Sequence, residues 1–170
     1  MSDQQPKTNR SCGTCKLCCK YLAVEEIGKP CNKWCKYIDM SYGCSIYNNR
    51  PQSCRTFNCM WLEDGEKPEE DRVFTEGDRP DKLGVIFTGC KASSGEQVIQ
   101  VWETKVGAVD SPYLRQMITG LSSVFPVIIR HQDSNYQTRV IKGHWVRGLD
   151  PSIMKEQGTS EMSEQSKATA

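Results

Sequence analysis

Nine of the ten cysteines in this chain lie between Cys12 and Cys59, and the first four read Cys12-x-x-Cys15-x-x-Cys18-Cys19. Thiols at this density constrain the fold more than any hydrophobic pattern here. Two residues between cysteines let a tight turn aim both sulfurs at one ion, and zinc and iron–sulfur sites both use that spacing. The spacing predicts an N-terminal half organised around bound zinc or an iron–sulfur cluster. The bland alternative is that the thiols are small buried hydrophobes or reactive groups. In a reducing compartment, that would leave a dense set of oxidisable thiols without protection. Cys90, in the apolar stretch Gly84–Cys90, is the exception and reads as an ordinary buried residue.

Composition narrows the setting. The longest apolar stretch, Val124–Ile129, is interrupted by Pro126 and is too short to span a bilayer, so no membrane association is expected. The polar start, MSDQQPKTNR, has no apolar core of a secretory signal. A cytoplasmic location is expected, where cysteines serve metal or redox chemistry rather than disulfides. Charge is uneven. Residues 1–60 carry nine Lys and Arg against four Asp and Glu, while residues 61–170 carry thirteen against seventeen. A basic first half could face nucleic acid. Four thiolates around one Zn²⁺ leave a net charge of about −2, and Lys16, Lys20, Lys33, Lys36 and Arg55 beside the cysteines could offset it. Charge compensation is the simpler account, and a nucleic-acid partner is not favoured.

The chain divides into a leader at residues 1–10, a cysteine-cluster region at 11–62, a small α+β region at 73–148 and a tail at 150–170. Leader and tail read as disordered. The acidic stretch at 63–72 marks the boundary between the two main regions. Within the second region, Lys82–Thr88 and Gln97–Glu103 read as strands joined by a turn at Ser93-Ser94-Gly95. Ser111 caps a helix that begins with Pro112, and Leu114, Met117, Ile118 and Leu121 share one of its faces. Val124–Arg130 and Gln137–Lys142 read as two further strands around a turn at Asp133-Ser134-Asn135. The expected class is α+β: an irregular cysteine-rich half on the metal, plus a small antiparallel sheet with one helix.

The candidate metal ligands form three groups: Cys12, Cys15, Cys18 and Cys19; Cys31 and Cys35; Cys44, Cys54 and Cys59. Nine thiols could complete two four-coordinate sites, or one cluster with structural extras. Adjacent side chains are expected to diverge, so Cys18 and Cys19 are read as reaching two different sites. The run from Cys12 to Cys18 matches the first three ligands of a bacterial ferredoxin, but no Cys-Pro follows at the fourth position. His131 and His144 lie far downstream and read as ordinary strand or surface residues. Any site is then all-thiolate, which suits zinc and iron–sulfur alike.

The second run, Cys44-x-Ile46-Tyr47-x-x-Arg50-Pro51-x-x-Cys54-Arg55, completes a recognisable signature with the first. Over residues 11–62 the chain resembles the YkgJ-type cysteine-cluster family, described as a zinc- or iron-chelating domain. The segments Lys29-Pro30 through Cys35 and Cys59 through Leu62 also have counterparts in that family. The resemblance implies metal binding without a settled activity. Flagellin lysine N-methylases carry a similar cysteine motif, but this chain has no Gly-rich loop for a methyl donor. Arg50 and Arg55 are candidates to contact the anionic centre and hold its ligands in place. Tyr47, Phe57, Trp34 and Trp61 are expected to form a small core around it.

No Ser-His-Asp spacing, phosphate-binding Gly-rich loop or HExxH motif occurs, so no catalytic residues are assigned. Glu25-Glu26 reads as a solvated pair. Three functions follow: a zinc- or iron-chelating module, an iron–sulfur redox protein or redox-enzyme component, and a zinc-ribbon-like module that binds nucleic acid or protein.

Overall fold

The structure, a computed structural model, describes residues 10–132 and 136–149. The expected leader up to residue 9, the turn at 133–135 and the tail from residue 150 lie outside the described residues. The architecture is α+β. In chain order the elements are α1 (Cys18–Tyr21), β1 (Ile38–Asp39), β2 (Gly43–Cys44), α2 (Gln52–Thr56), α3 (Met60–Asp64), α4 (Pro80–Leu83), β3 (Val85–Lys91), β4 (Gln97–Glu103), α5 (Pro112–Leu121), β5 (Val127–Arg130), β6 (Tyr136–Ile141) and β7 (His144–Leu149). Among the described residues no helix is long and apolar enough to cross a membrane.

Strands β3 to β7 form one sheet in sequence order. Three pairings are antiparallel, and β4 runs parallel to β5. A parallel neighbour cannot be reached by a hairpin, so the chain leaves the sheet after β4 and returns through α5. Helix α5 starts where the sequence dictates. The Ser111 hydroxyl accepts from the Leu114 amide at 3.3 Å, and Pro112 occupies the first turn. Its buried residues, Leu114 and Ile118, join a core that includes Ile99, Val101, Val127, Ile129 and Val140. The register places Val101, Ile129, Thr138 and Arg147 opposite one another across β4 to β7. Directly paired residues share a face, so this row runs from apolar core to polar groups on one side of the sheet.

Two expected strands begin later than the sequence suggests. Lys82 and Leu83 belong to α4, which opens on Pro80 and closes on Gly84. Gly84 has a φ of +82°, a left-handed conformation that ends the helical turn at little cost only for glycine. Strand β5 begins at Val127, leaving Val124 and Phe125 exposed before Pro126. Strand β7 has no counterpart in the sequence reading.

The cysteine-rich half is not a separate module. Tyr21, Cys59, Trp61, Leu62 and Phe74 are buried in the same core as Val85, Phe87 and the rest of the sheet. The Phe74 and Phe87 rings meet at 5.2 Å. The strongest tether is Arg10, whose Nη1 donates to the Trp61 carbonyl at 2.7 Å and to Asp64 Oδ2 at 3.4 Å. Its Nε meets Glu76 Oε1 at 2.9 Å, and its Nη2 donates to the Phe74 carbonyl. Both partners of the Arg10–Asp64 pair are almost fully buried, each side chain 3% exposed. Asp64 thus lies in the core, although its stretch reads as an acidic boundary.

Burial opposes the charge on Asp64, but the amides of Phe74 and Val73 and the ammonium of Lys67 outweigh it and hold the carboxyl below the usual range. A depressed native value stabilises the fold above the ordinary carboxylate range, and that contribution is lost as pH falls through the native value. Asp64→Asn is expected to cost about 2 kcal/mol near neutrality, since it removes the buried carboxylate that shares Arg10 with Glu76 and accepts from two backbone amides. It should also flatten the acid limb of stability. Denaturant unfolding of metal-free protein at several pH values, followed by tryptophan fluorescence, tests both.

Candidate metal centre

The first cysteine pair is set by a tight turn. The Cys15 amide donates to the Cys12 carbonyl at 2.9 Å, and Gly13 takes a φ of +52°. A Cβ at Gly13 would stand 3.2 Å from Arg79 Nη1, so the glycine answers both the backbone twist and the close approach of that arginine. Arg79 fastens the turn to the other half: Nη2 reaches Thr14 Oγ1 at 3.2 Å while the guanidinium grips Asp81 at 2.6 and 2.7 Å. The chain then winds into α1, which carries Cys18 and Cys19. Tyr21 ends that helix buried, with its hydroxyl donating to the Thr104 carbonyl at 3.1 Å.

The remaining candidates come from four short pieces. The Cys35 amide donates to the Cys19 carbonyl at 2.9 Å, placing the Cys31–Cys35 loop against α1. Cys44 lies in β2 opposite Ile38, in a hairpin closed by Asp39 Oδ1, which accepts from the Ser41 and Tyr42 amides. Cys54 lies in α2. There Glu26 accepts from the Ser53 amide at 3.0 Å and from the Ser53 hydroxyl, which holds its carboxyl below the usual range. Glu26 therefore anchors the Cys54 helix rather than standing merely solvated. Cys59 caps α3, its carbonyl accepting from Leu62 and Glu63, and is itself buried.

The thiols act on one another in two overlapping sets. In the first, burial raises the Cys12, Cys15 and Cys59 thiols, Cys59 to about 11. Cys15 adds to the effect at Cys12, and Cys12 and Cys15 both add to it at Cys59. In the second, burial raises Cys54, and Cys19 and Cys35 add to it. Cys18 and Cys19 lie where the sets meet. They are hydrogen-bonded to each other, which raises Cys18 and lowers Cys19 to about 7. The adjacent side chains converge, contrary to the expected divergence, so spacing no longer assigns them to different sites. All ten cysteines are free thiols, and Cys90 is half-buried at the end of β3. Among the described residues no group of three or more His, Cys, Asp or Glu is gathered closely enough to hold a metal ion.

The surroundings suit an anionic thiolate centre. Lys29, absent from the expected set of cations, is buried, and its ammonium donates to the carbonyls of Lys20, Leu22 and Pro30. Burial lowers its pKa, while Cys31, Cys35, Cys19 and Cys18 act in the opposite sense. Lys29, Arg50 and Lys16 all favour the Cys19 thiolate, and Arg50 also favours that of Cys12. Arg50 is stacked 3.8 Å over the Tyr47 ring and donates to the Tyr47 carbonyl. Arg55 bonds the Gln52 side chain on the exposed side of α2. Asn58, next to Cys59, buries its Nδ2 without an acceptor. Of the four aromatics expected around the centre, Trp61 is buried and Phe57 packs on the core. Trp34 and Tyr47 are exposed, so they form no core there. The donor set and its cations fit a thiolate-bound metal, but the thiols are not drawn into a closed shell.

No protein-family description matches this chain, and no curated protein or solved structure matches it.

In metal-free protein near pH 7, Cys19 should be alkylated by iodoacetamide ahead of Cys12, Cys18 and Cys59, because its thiol is lowered to about 7 while theirs are raised. Cys18→Ala removes the main cause and should slow that reaction by a factor on the order of ten, less than the lost thiolate alone would give, because a more basic thiolate attacks faster. Peptide-level mass spectrometry over a time course reads both.

Proposed function

We propose that this chain binds metal through cysteine thiolates, holding zinc or an iron–sulfur cluster, and that it belongs with the YkgJ-type cysteine-cluster proteins. One observation carries the reading: nine cysteines occupy a segment of 48 residues held by tight turns and short elements rather than by long helices or strands. That segment has only short regular elements of its own, so a bound metal would add to the few contacts that organise it.

Cys12, Cys15 and Cys59 would contribute to one site and Cys35 and Cys54 to another, with Cys18 and Cys19 where the two meet and Cys31 and Cys44 completing the candidate set. Arg50 and Lys29 would offset the thiolate charge from outside the ligand shell, and Arg55 is the weaker candidate for that task. Bound zinc would supply folding energy, whereas a cluster would supply an electron-transfer centre. The free thiols fit a reducing compartment such as the cytoplasm.

Elemental analysis of tag-free protein purified without oxygen is the direct test. About two zinc per chain, with no visible absorbance, would mark a structural or chelating zinc protein. Iron with acid-labile sulfide and a visible charge-transfer band would mark a cluster protein. Cys15→Ser and Cys54→Ser should each lower the metal content, while Cys90→Ser should leave it unchanged. If Cys15→Ser retains the full complement, the ligand assignment is wrong.

A further inference from the structure

The parallel pair β4–β5 ends in a second polar centre, remote in sequence from the cysteines. Glu103 is the last residue of β4, His131 follows β5, and Thr138 lies on β6. Glu103 is 4% exposed although it carries a carboxylate. Its Oε2 lies 3.0 Å from His131 Nδ1, and His131 Nε2 lies 2.8 Å from Thr138 Oγ1. Glu103 Oε1 also accepts from the Val109 amide at 3.4 Å. A buried carboxylate inside a sheet needs such partners to be tolerated. These groups line one side of a cavity of about 430 Å³. That volume lies within the range of small-molecule sites. Crevices at the carboxyl ends of parallel strands are also where ligands bind in open α/β sheets.

The rest of the lining favours one class of occupant. Val106, Val109 and Trp145 supply apolar surface. Trp145 is held in place, with Nε1 donating to Thr119 Oγ1 at 3.2 Å and Arg115 stacked 4.5 Å from its ring. Arg115 is also tied to Asp110 at 3.2 Å. The carboxylates of the lining are thus engaged: Glu103 by His131, Asp110 by Arg115. Arg147 differs. It lines the cavity, it is exposed, and its one described interaction is stacking 5.2 Å over the Tyr136 ring. Among the described residues no carboxylate neutralises it. A guanidinium so placed is suited to bidentate recognition of a carboxylate or phosphate.

We propose that this cavity binds a small organic oxyanion, with its charged group on Arg147 and its apolar body against Val106, Val109 and Trp145. The Glu103–His131–Thr138 chain fixes the polar end of the cavity and keeps the buried carboxylate from facing the ligand unpaired. The proposal is independent of the metal reading, because none of these residues is a ligand candidate.

The test uses the full ¹⁵N-labelled chain titrated with benzoate, phenyl phosphate and, as an uncharged control, benzyl alcohol. The readout is the Trp145 indole N–H resonance, assigned with Trp145→Phe. Saturable shifts with millimolar dissociation constants are expected for one or both anions, with benzyl alcohol far weaker. Phenyl phosphate binding tighter than benzoate assigns a phosphate ligand, and the reverse order assigns a carboxylate. Arg147→Ala, at an exposed position that should leave the fold intact, should weaken the anion at least fivefold. Arg139→Ala, exposed on β6 and outside the cavity lining, should not. The proposal is overturned if neither anion shifts Trp145 up to concentrations on the order of 10 mM, if benzyl alcohol binds as well, or if Arg147→Ala binds the anion like the parent.

Discussion

A buried guanidinium at Arg10 joins the two halves of this protein. It sits two residues before Cys12, and it gathers the carbonyls of Trp61 and Phe74 and the carboxylates of Asp64 and Glu76 around one charge. A cation taken out of water needs such partners, and they are drawn from well downstream in the chain. Arg10 is also 4.9 Å from the centre of the Trp61 ring. The beginning of the cysteine run is thereby fixed to the start of the globular half. Tyr21, bonded to Thr104, fixes its end.

From Gly13 to the Cys54 helix, local chemistry stands in for an extended apolar core. Gly13 permits the first turn, Asp39 closes a hairpin, Glu26 anchors a one-turn helix and Lys29 collects three carbonyls. Each device is small and ties a few residues together. The result lets Cys12 help to raise the Cys59 thiol from 47 positions away. The globular half is built differently, with a sheet whose inward rows and one amphipathic helix bury apolar side chains. The two styles meet at Cys59, Trp61 and Leu62.

Legibility in the sequence followed the same division. Where periodicity operates, the reading succeeded: Gln97–Glu103 is β4, and Ser111-Pro112 starts α5 with the buried Leu114 and Ile118. Where a single backbone conformation intervened, boundaries moved, as at Gly84, which separates α4 from β3. Strand β7 was missed because its surface alternation of His144, Val146 and Arg147 resembles no half-buried strand. In the cysteine segment no period exists, so residue type could not say that Trp34 and Tyr47 face outward, or that Cys18 and Cys19 converge. Lys29 was missed because its partners are carbonyls, which every sequence contains. The Glu103–His131 contact spans 28 residues. Its one visible trace was a carboxylate on the inward rhythm of Ile99 and Val101, which a strand reading can flag but cannot pair.

Cys59 belongs to two systems at once. It is 8% exposed and packed in the main core, and it is also electrostatically coupled to Cys12 and Cys15. Oxidation of an exposed thiol is a surface event that a cell can reverse. At Cys59 an added oxygen would have to be housed beside Trp61 and Leu62, where an unsatisfied polar atom is costly. On the proposed metal reading, the same sulfur would also be lost as a ligand. Damage at this one atom therefore loosens the core and the thiol cluster together. Molecules that have lost it would be less stable and so more open to proteolysis.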